Sequence, residues 1–169
     1  TDAAGNANTS NSLLLTIDTV VPGITITSSD SALKAGETAT ITFTLSEAST
    51  DFTEEDISVS GGVLTDFTGS GASYTAIFRS TINSTDNGVI TVPSGSFIDA
   101  AGNENTSGSL TLAVDTVVPE IVITTSDSAL KAGETATITF TLSEESTDFS
   151  AEDVNVSGGS IDNFTAVSA

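Results

Sequence analysis

The chain has 169 residues, 37% of them hydrophobic, with 23 Asp and Glu against three Lys and Arg for a net charge of −20. That balance repels nucleic acid and anionic membrane surfaces, and the absence of Cys and His excludes disulfides, thiol chemistry, histidine triads and the usual zinc sites. With no Trp or Met the core must be Val, Ile, Leu and the eight Phe, and no apolar run approaches the ~18 residues that direct membrane insertion requires.

Thr1–Ile17 opens on the polar turn DAAGN, and Leu13–Ile17 reads as a short strand. Asp18–Pro22 is a linker, because Pro22 removes a donor and suits the start of an edge strand. Ile24–Thr27 begins a domain, and SSDSALKAGE reads as a turn and connection pivoting at Gly36. In Thr38–Ser46, Ala39, Ile41, Phe43 and Leu45 alternate with four threonines, the period of two that puts one face in a core and one in water. An acidic loop follows, Glu47–Asp56, with Phe52 turned inward. Ile57 and Val59 then form a strand that ends at Gly61–Gly62. Val63–Phe67 and Tyr74–Arg79 read as two strands joined by GSGAS, and Val89–Phe97 as a strand interrupted at Pro93. After a turn at Asp99–Asn105, a last strand presents Leu110, Leu112 and Val114 inward.

At Asp115 the sequence starts again. SDSALKAGETATITFTLSE at Ser29–Glu47 recurs letter for letter at Ser126–Glu144, an offset of 97 residues, and 37 of the 45 positions in Asp18–Gly62 are identical to those in Asp115–Gly159. That period is too long for a solenoid unit and fits a small independent domain. The chain therefore reads as part of a tandem array: 1–17 the C-terminal strand of a preceding repeat, 18–114 a complete repeat, 115–169 the N-terminal part of the next, with four of its strands. Seven short strands with Gly, Asn and Ser turns and no helix predict an all-β fold, an antiparallel β-sandwich, with a small closed barrel as the alternative.

DTVVP, GETATITFTLSE, TDFTEEDISVSGG, and DAAGN shortly before the next DTVVP resemble the bacterial immunoglobulin-like repeats of giant biofilm-associated and type-I-secreted (RTX-type) surface adhesins. The resemblance spans essentially the whole chain. It implies an extracellular, non-enzymatic stalk of tandem immunoglobulin-like sandwiches between the cell envelope and an adhesive tip, often stiffened by calcium.

The residues make their own case for calcium. Following the strands up and down from Asp18, the loop Glu47–Asp56 and the turn Asp99–Asn105 return to the same pole. Asp18, Asp51, Glu54, Glu55, Asp56, Asp99 and Asn103 therefore converge where one domain meets the one before it, with no basic residue near in sequence. Crowded carboxylates repel strongly in a partly dry site, and Ca²⁺ relieves that with six to eight oxygen ligands. Asp2, Asp115, Asp148 and Asp153 are the corresponding positions in the flanking copies, and Asp86, at the opposite pole, is expected to complete a site across the next junction. Each part has a plainer reading: Asp and Asn beside Gly are ordinary turn residues, and an acidic loop is often only solvated. The expected partners are calcium and the neighbouring repeats.

Catalysis finds no support. Paired carboxylates can hydrolyse sugars, but aromatic platforms for a substrate are missing. The alternative function is a ligand-binding module for glycan, host surface or ice, the last suggested by the row Thr38, Thr40, Thr42, Thr44. Threonine also simply suits the wet face of a strand.

Overall fold

Strict alternation of small polar and bulky apolar side chains along one long strand organises the fold. A computed structural model describes residues 1–165, and the chain divides into two compact units, Thr1–Val117 and Val118–Ala169. In the first, β3 (Thr38–Ser49) lies between β1 (Ile24–Ser28) and β5 (Gly62–Ser80), all antiparallel. A second sheet runs β2 (Ala32–Lys34), β7 (Gly108–Asp115), β6 (Gly88–Val92), β4 (Ser58–Ser60). Ile41, Phe43 and Leu45 from the first sheet and Leu33, Ile90, Val92 and Leu112 from the second are all buried in one cluster. This is the immunoglobulin-like β-sandwich, with an aromatic knot at one end where Phe52 contacts Phe43, Phe67, Tyr74 and Phe97 edge-on at 5.0–5.9 Å.

Three local expectations change. The connection SSDSALKAGE contains β2, which pairs in parallel with β7 and buries Leu33. The strand expected to run on through Pro93 stops at Val92, since proline has no N–H for the ladder. The expected pair around GSGAS forms one ribbon, β5, that doubles back on itself. Laid straight, 19 residues would span ~60 Å, yet a β-carbon on Gly62 would lie 2.4 Å from the Arg79 carbonyl oxygen, and one on Gly69 2.4 Å from that of Ser73. Gly69 and Gly71, both at positive φ, make the reversal.

The flanking copies are less regular than expected. Leu13–Ile17 is not a strand and lies exposed. Its counterpart in the complete repeat, within β7, is held by β6 and β2, whereas among the described residues no strand pairs with Leu13–Ile17. Among the described residues the second unit has two strands where four were expected, β8 (Ile121–Thr125) and β9 (Ile138–Leu142), paired in the register of β1 and β3. In the first unit β4 is held by β6, and the counterpart of β4 in the second unit forms no strand.

A three-carboxylate candidate metal centre

Three short segments bring carboxylates together at the pole where the first sandwich begins. Glu47 continues the inward phase of β3: Ala39, Ile41, Phe43 and Leu45 are buried, and so is Ser49 two residues beyond the glutamate. Asp18 arrives through the linker, which is pinned by buried Pro22 and by reciprocal bonds between Gly23 and Ser46. Its own Oδ1 accepts from the Val20 amide at 3.0 Å.

Asp99 sits in DAAGN, which folds as a tight carboxylate-centred turn. Oδ1 accepts from the amides of Ala101 and Asn103 at 2.8 and 2.9 Å, while Oδ2 accepts from Asn103 Nδ2 at 2.8 Å. Asp2 makes the same turn with Ala4 and Asn6, so the five-residue motif suffices for the geometry. Asn103 Nδ2 also donates to the Asp18 carbonyl at 3.3 Å, tying turn to linker. Buried Asn105 closes the loop behind it, accepting from Ser96 and Phe97 and donating to the carbonyls of Pro93 and Thr106.

Carboxylate oxygens of Asp18, Glu47 and Asp99 thus lie within 4.8 Å of one another. Glu47 Oε1 is buried and has no hydrogen-bond partner, and among the described residues the only other such side-chain atom is Oε1 of Glu144, its counterpart one repeat on. Burial raises the Glu47 carboxyl above the ordinary range, and the charges of Asp18 and Asp99 raise it further. The Asn103 side chain and the turn amides hold Asp99 below the ordinary range against the opposing effect of burial. Burial and neighbouring charge thus disfavour the ionised form of Glu47 while hydrogen bonds favour that of Asp99, and a cation would favour both.

The residues suit a hard cation in chemistry, since all three offer carboxylate oxygens. Asp18, Glu47 and Asp99 would hold it, and Ca²⁺, which accepts flexible all-oxygen coordination, would supply the charge that lets all three stay ionised.

Of the other expected positions, Asn103 belongs here as the tie just described. Asp51 lies nearby but spends its Oδ1 on the Ser49 hydroxyl at 2.6 Å and the Ile98 amide at 3.2 Å. Asp56 caps the 3-10 turn Glu54–Asp56, its Oδ2 accepting from the Thr53 amide at 2.7 Å and hydroxyl at 3.1 Å, and Asp153 does the same with Ser150. Asp148 accepts from the Ser146 hydroxyl. Asp115 ends β7 opposite Lys34 and accepts from the Val117 amide. Asp86 is exposed on a loop tied through Ser84 to Thr116. Glu47 was not singled out as a ligand in the sequence. The signal that finds it is its phase, an acid where β3 should bury an apolar side chain.

The model of the bacterial Ig-like domain family matches residues 18–114 and again 115–169, and the chain belongs to that family. Its members are structural modules, usually extracellular or on the cell surface and typically non-catalytic. No curated protein and no solved structure matches the chain. Among the described residues no helix is long and apolar enough to cross a membrane.

Proposed function

We propose that the chain is an extender segment of a bacterial cell-surface adhesin, in which calcium held at the start of each repeat stiffens the tandem array. The observation that carries this is Glu47 Oε1, buried without a partner beside two further carboxylates. An oxygen placed so is costly in a metal-free protein, and the recurrence in Glu144 makes it a property of the repeat. Asp18 gives the site its mechanical meaning, because it lies in the linker. Its counterpart Asp115 is the last residue of β7. The linker aspartate therefore stands where the chain leaves one repeat's final strand and enters the sequence of the next repeat.

The repeats serve as spacers, and enzymatic chemistry has no place in them. Calcium titration of the chain by calorimetry, with Glu47→Gln as control, tests the reading: saturable binding lost in the variant supports it, and heats equal to buffer refute it.

A second reading has one observation in its favour. The threonine row is wider than a single strand: Thr25, Thr44 and Ser73 lie abreast across the sheet, as do Thr27, Thr42 and Thr75. Neighbouring strands rotate by roughly 20–25°, which spoils any match to a flat lattice, so the spacer reading stands ahead. Inhibition of ice growth by the chain would reverse that order.

A further inference from the structure

We propose that Asp51 is a positioning residue of the calcium site and not a ligand, a clamp that holds Asp99 against the end of β3. The inference rests on the calcium reading above. Glu47 lies on β3 of one sheet and Asp99 in the turn between β6 and β7 of the other, so their approach needs a fixed bridge, and Asp51 is placed to be one. Ser49, buried two residues after Glu47, donates its hydroxyl to Asp51 Oδ1 at 2.6 Å and accepts the Asp51 amide at 3.2 Å. The same Oδ1 accepts the amide of Ile98, the residue before Asp99, at 3.2 Å. The clamp therefore starts two residues from one ligand and ends one residue from another. Phe52, next to Asp51, packs edge-on against Phe97, next to Ile98, at 5.2 Å, so an apolar contact runs alongside the polar one.

The half of the clamp on β3's side is local. Ser146 and Asp148 repeat it in the second unit, with the Ser146 hydroxyl donating to Asp148 Oδ1 at 2.8 Å, where no counterpart of Ile98 is in the chain. The Ser-x-Asp turn is thus preorganised, and capturing the Ile98 amide costs it little further ordering. Asp51 lies outside the set of carboxylates within mutual reach, and its Oδ1 is already engaged twice.

The test uses the full chain. Calcium titrations followed by NMR at the Asp99 and Asn103 amides are run for wild type, Asp51→Ala, Asp51→Asn and Glu47→Gln, with hydrogen exchange of the Ile98 amide measured in chelator. Asp51→Ala should weaken calcium binding about tenfold or more and speed Ile98 exchange by a similar factor. Asp51→Asn keeps the acceptor and should stay within about threefold of wild type in both, since it loses only a solvent-exposed charge. Glu47→Gln should lose calcium binding with Ile98 exchange unchanged. The proposal is overturned if Asp51→Asn binds as poorly as Glu47→Gln, which would make Asp51 a ligand, or if Asp51→Ala binds as wild type does. A wild-type chain that shows no calcium-dependent shifts would sink the calcium reading itself and the clamp's role with it. That outcome is read from the wild-type titration alone.

Discussion

A carboxylate on the inner side of a strand needs its charge met by a donor, a proton or a cation, and Glu47 has no donor at Oε1. In the metal-free protein the fold shifts that carboxyl toward its protonated form, and the sign of the pH dependence follows. The Glu47 carboxyl is raised in the fold by burial and by Asp18 and Asp99, so the native state binds its proton more tightly than the unfolded chain does. Its contribution to stability is unfavourable above the folded value and is relieved as pH falls through that value toward the unfolded one. Asp99 works the other way: held low by Asn103 and the turn amides, it favours the fold above its unfolded value and stops doing so as pH falls through the folded one. In chelator, melting temperature should first rise on acidification from neutral and then fall. Glu47→Gln should remove the rise, melt higher than wild type at neutral pH without calcium, and lose the response to calcium. A variant less stable than wild type in chelator would show that the glutamate is satisfied in a way the geometry does not display.

Strands explain both what could be read from the sequence and what could not. β3 was readable because Ala39, Ile41, Phe43 and Leu45 alternate with threonine, and all four are buried. Had the same period been carried two residues further, it would have placed Glu47 inside. The acidic letters that follow hid it, because Glu47 reads as the first residue of a loop. β2 was missed because three residues carry no period, and only the long-range partner β7 makes Ala32–Lys34 a strand. Asp56 illustrates why letters alone do not separate roles, since a capping acid and a metal acid have the same letter. The difference lies in the Thr53 amide and hydroxyl that its Oδ2 accepts. Convergence of Asp18, Asp99 and Asn103 was readable, since it needs only strand parity and the turn motif. Within these elements Phe43 is fully buried and touches Phe52 and Phe67 edge-on. Phe43→Ala should cost about 3–5 kcal/mol in urea melts with the slope unchanged. Asn105→Ala should cost about 1–3 kcal/mol, because it strands the amides of Ser96 and Phe97 in a buried loop. A loss below half a kilocalorie in either would show that the core or the loop relaxes around the gap.

Over the whole molecule, order follows the completeness of each repeat. The complete sandwich buries a core running from Ile26 to Val114, while Leu13, Leu14, Ile17, Val122 and Ile123 in the flanking copies stand exposed. Limited proteolysis should trim both flanks and spare 18–114, and equal resistance along the chain would contradict that.

Charge acts at the same scale, since the repeat 18–114 holds 12 acids against Lys34 and Arg79. Monovalent salt screens such repulsion at any position, whereas a site answers only to the ion that fits it. Extracellular calcium modules bind with dissociation constants of ~10⁻⁴–10⁻³ M, so millimolar calcium should stabilise each site by about 0.4–1.4 kcal/mol. For a domain of this size that is a rise in melting temperature of a few degrees. Calcium should also lengthen the mean end-to-end distance of a tandem of complete repeats in X-ray scattering, because its ligand set joins the linker aspartate to Glu47 and Asp99 of one sandwich. Sodium chloride at equal ionic strength should do neither, and Asp18→Asn should abolish both effects without unfolding the domain. If calcium and sodium act alike on both the melting and the scattering curves, the acids are a solvated surface and the stalk owes its stiffness to something else.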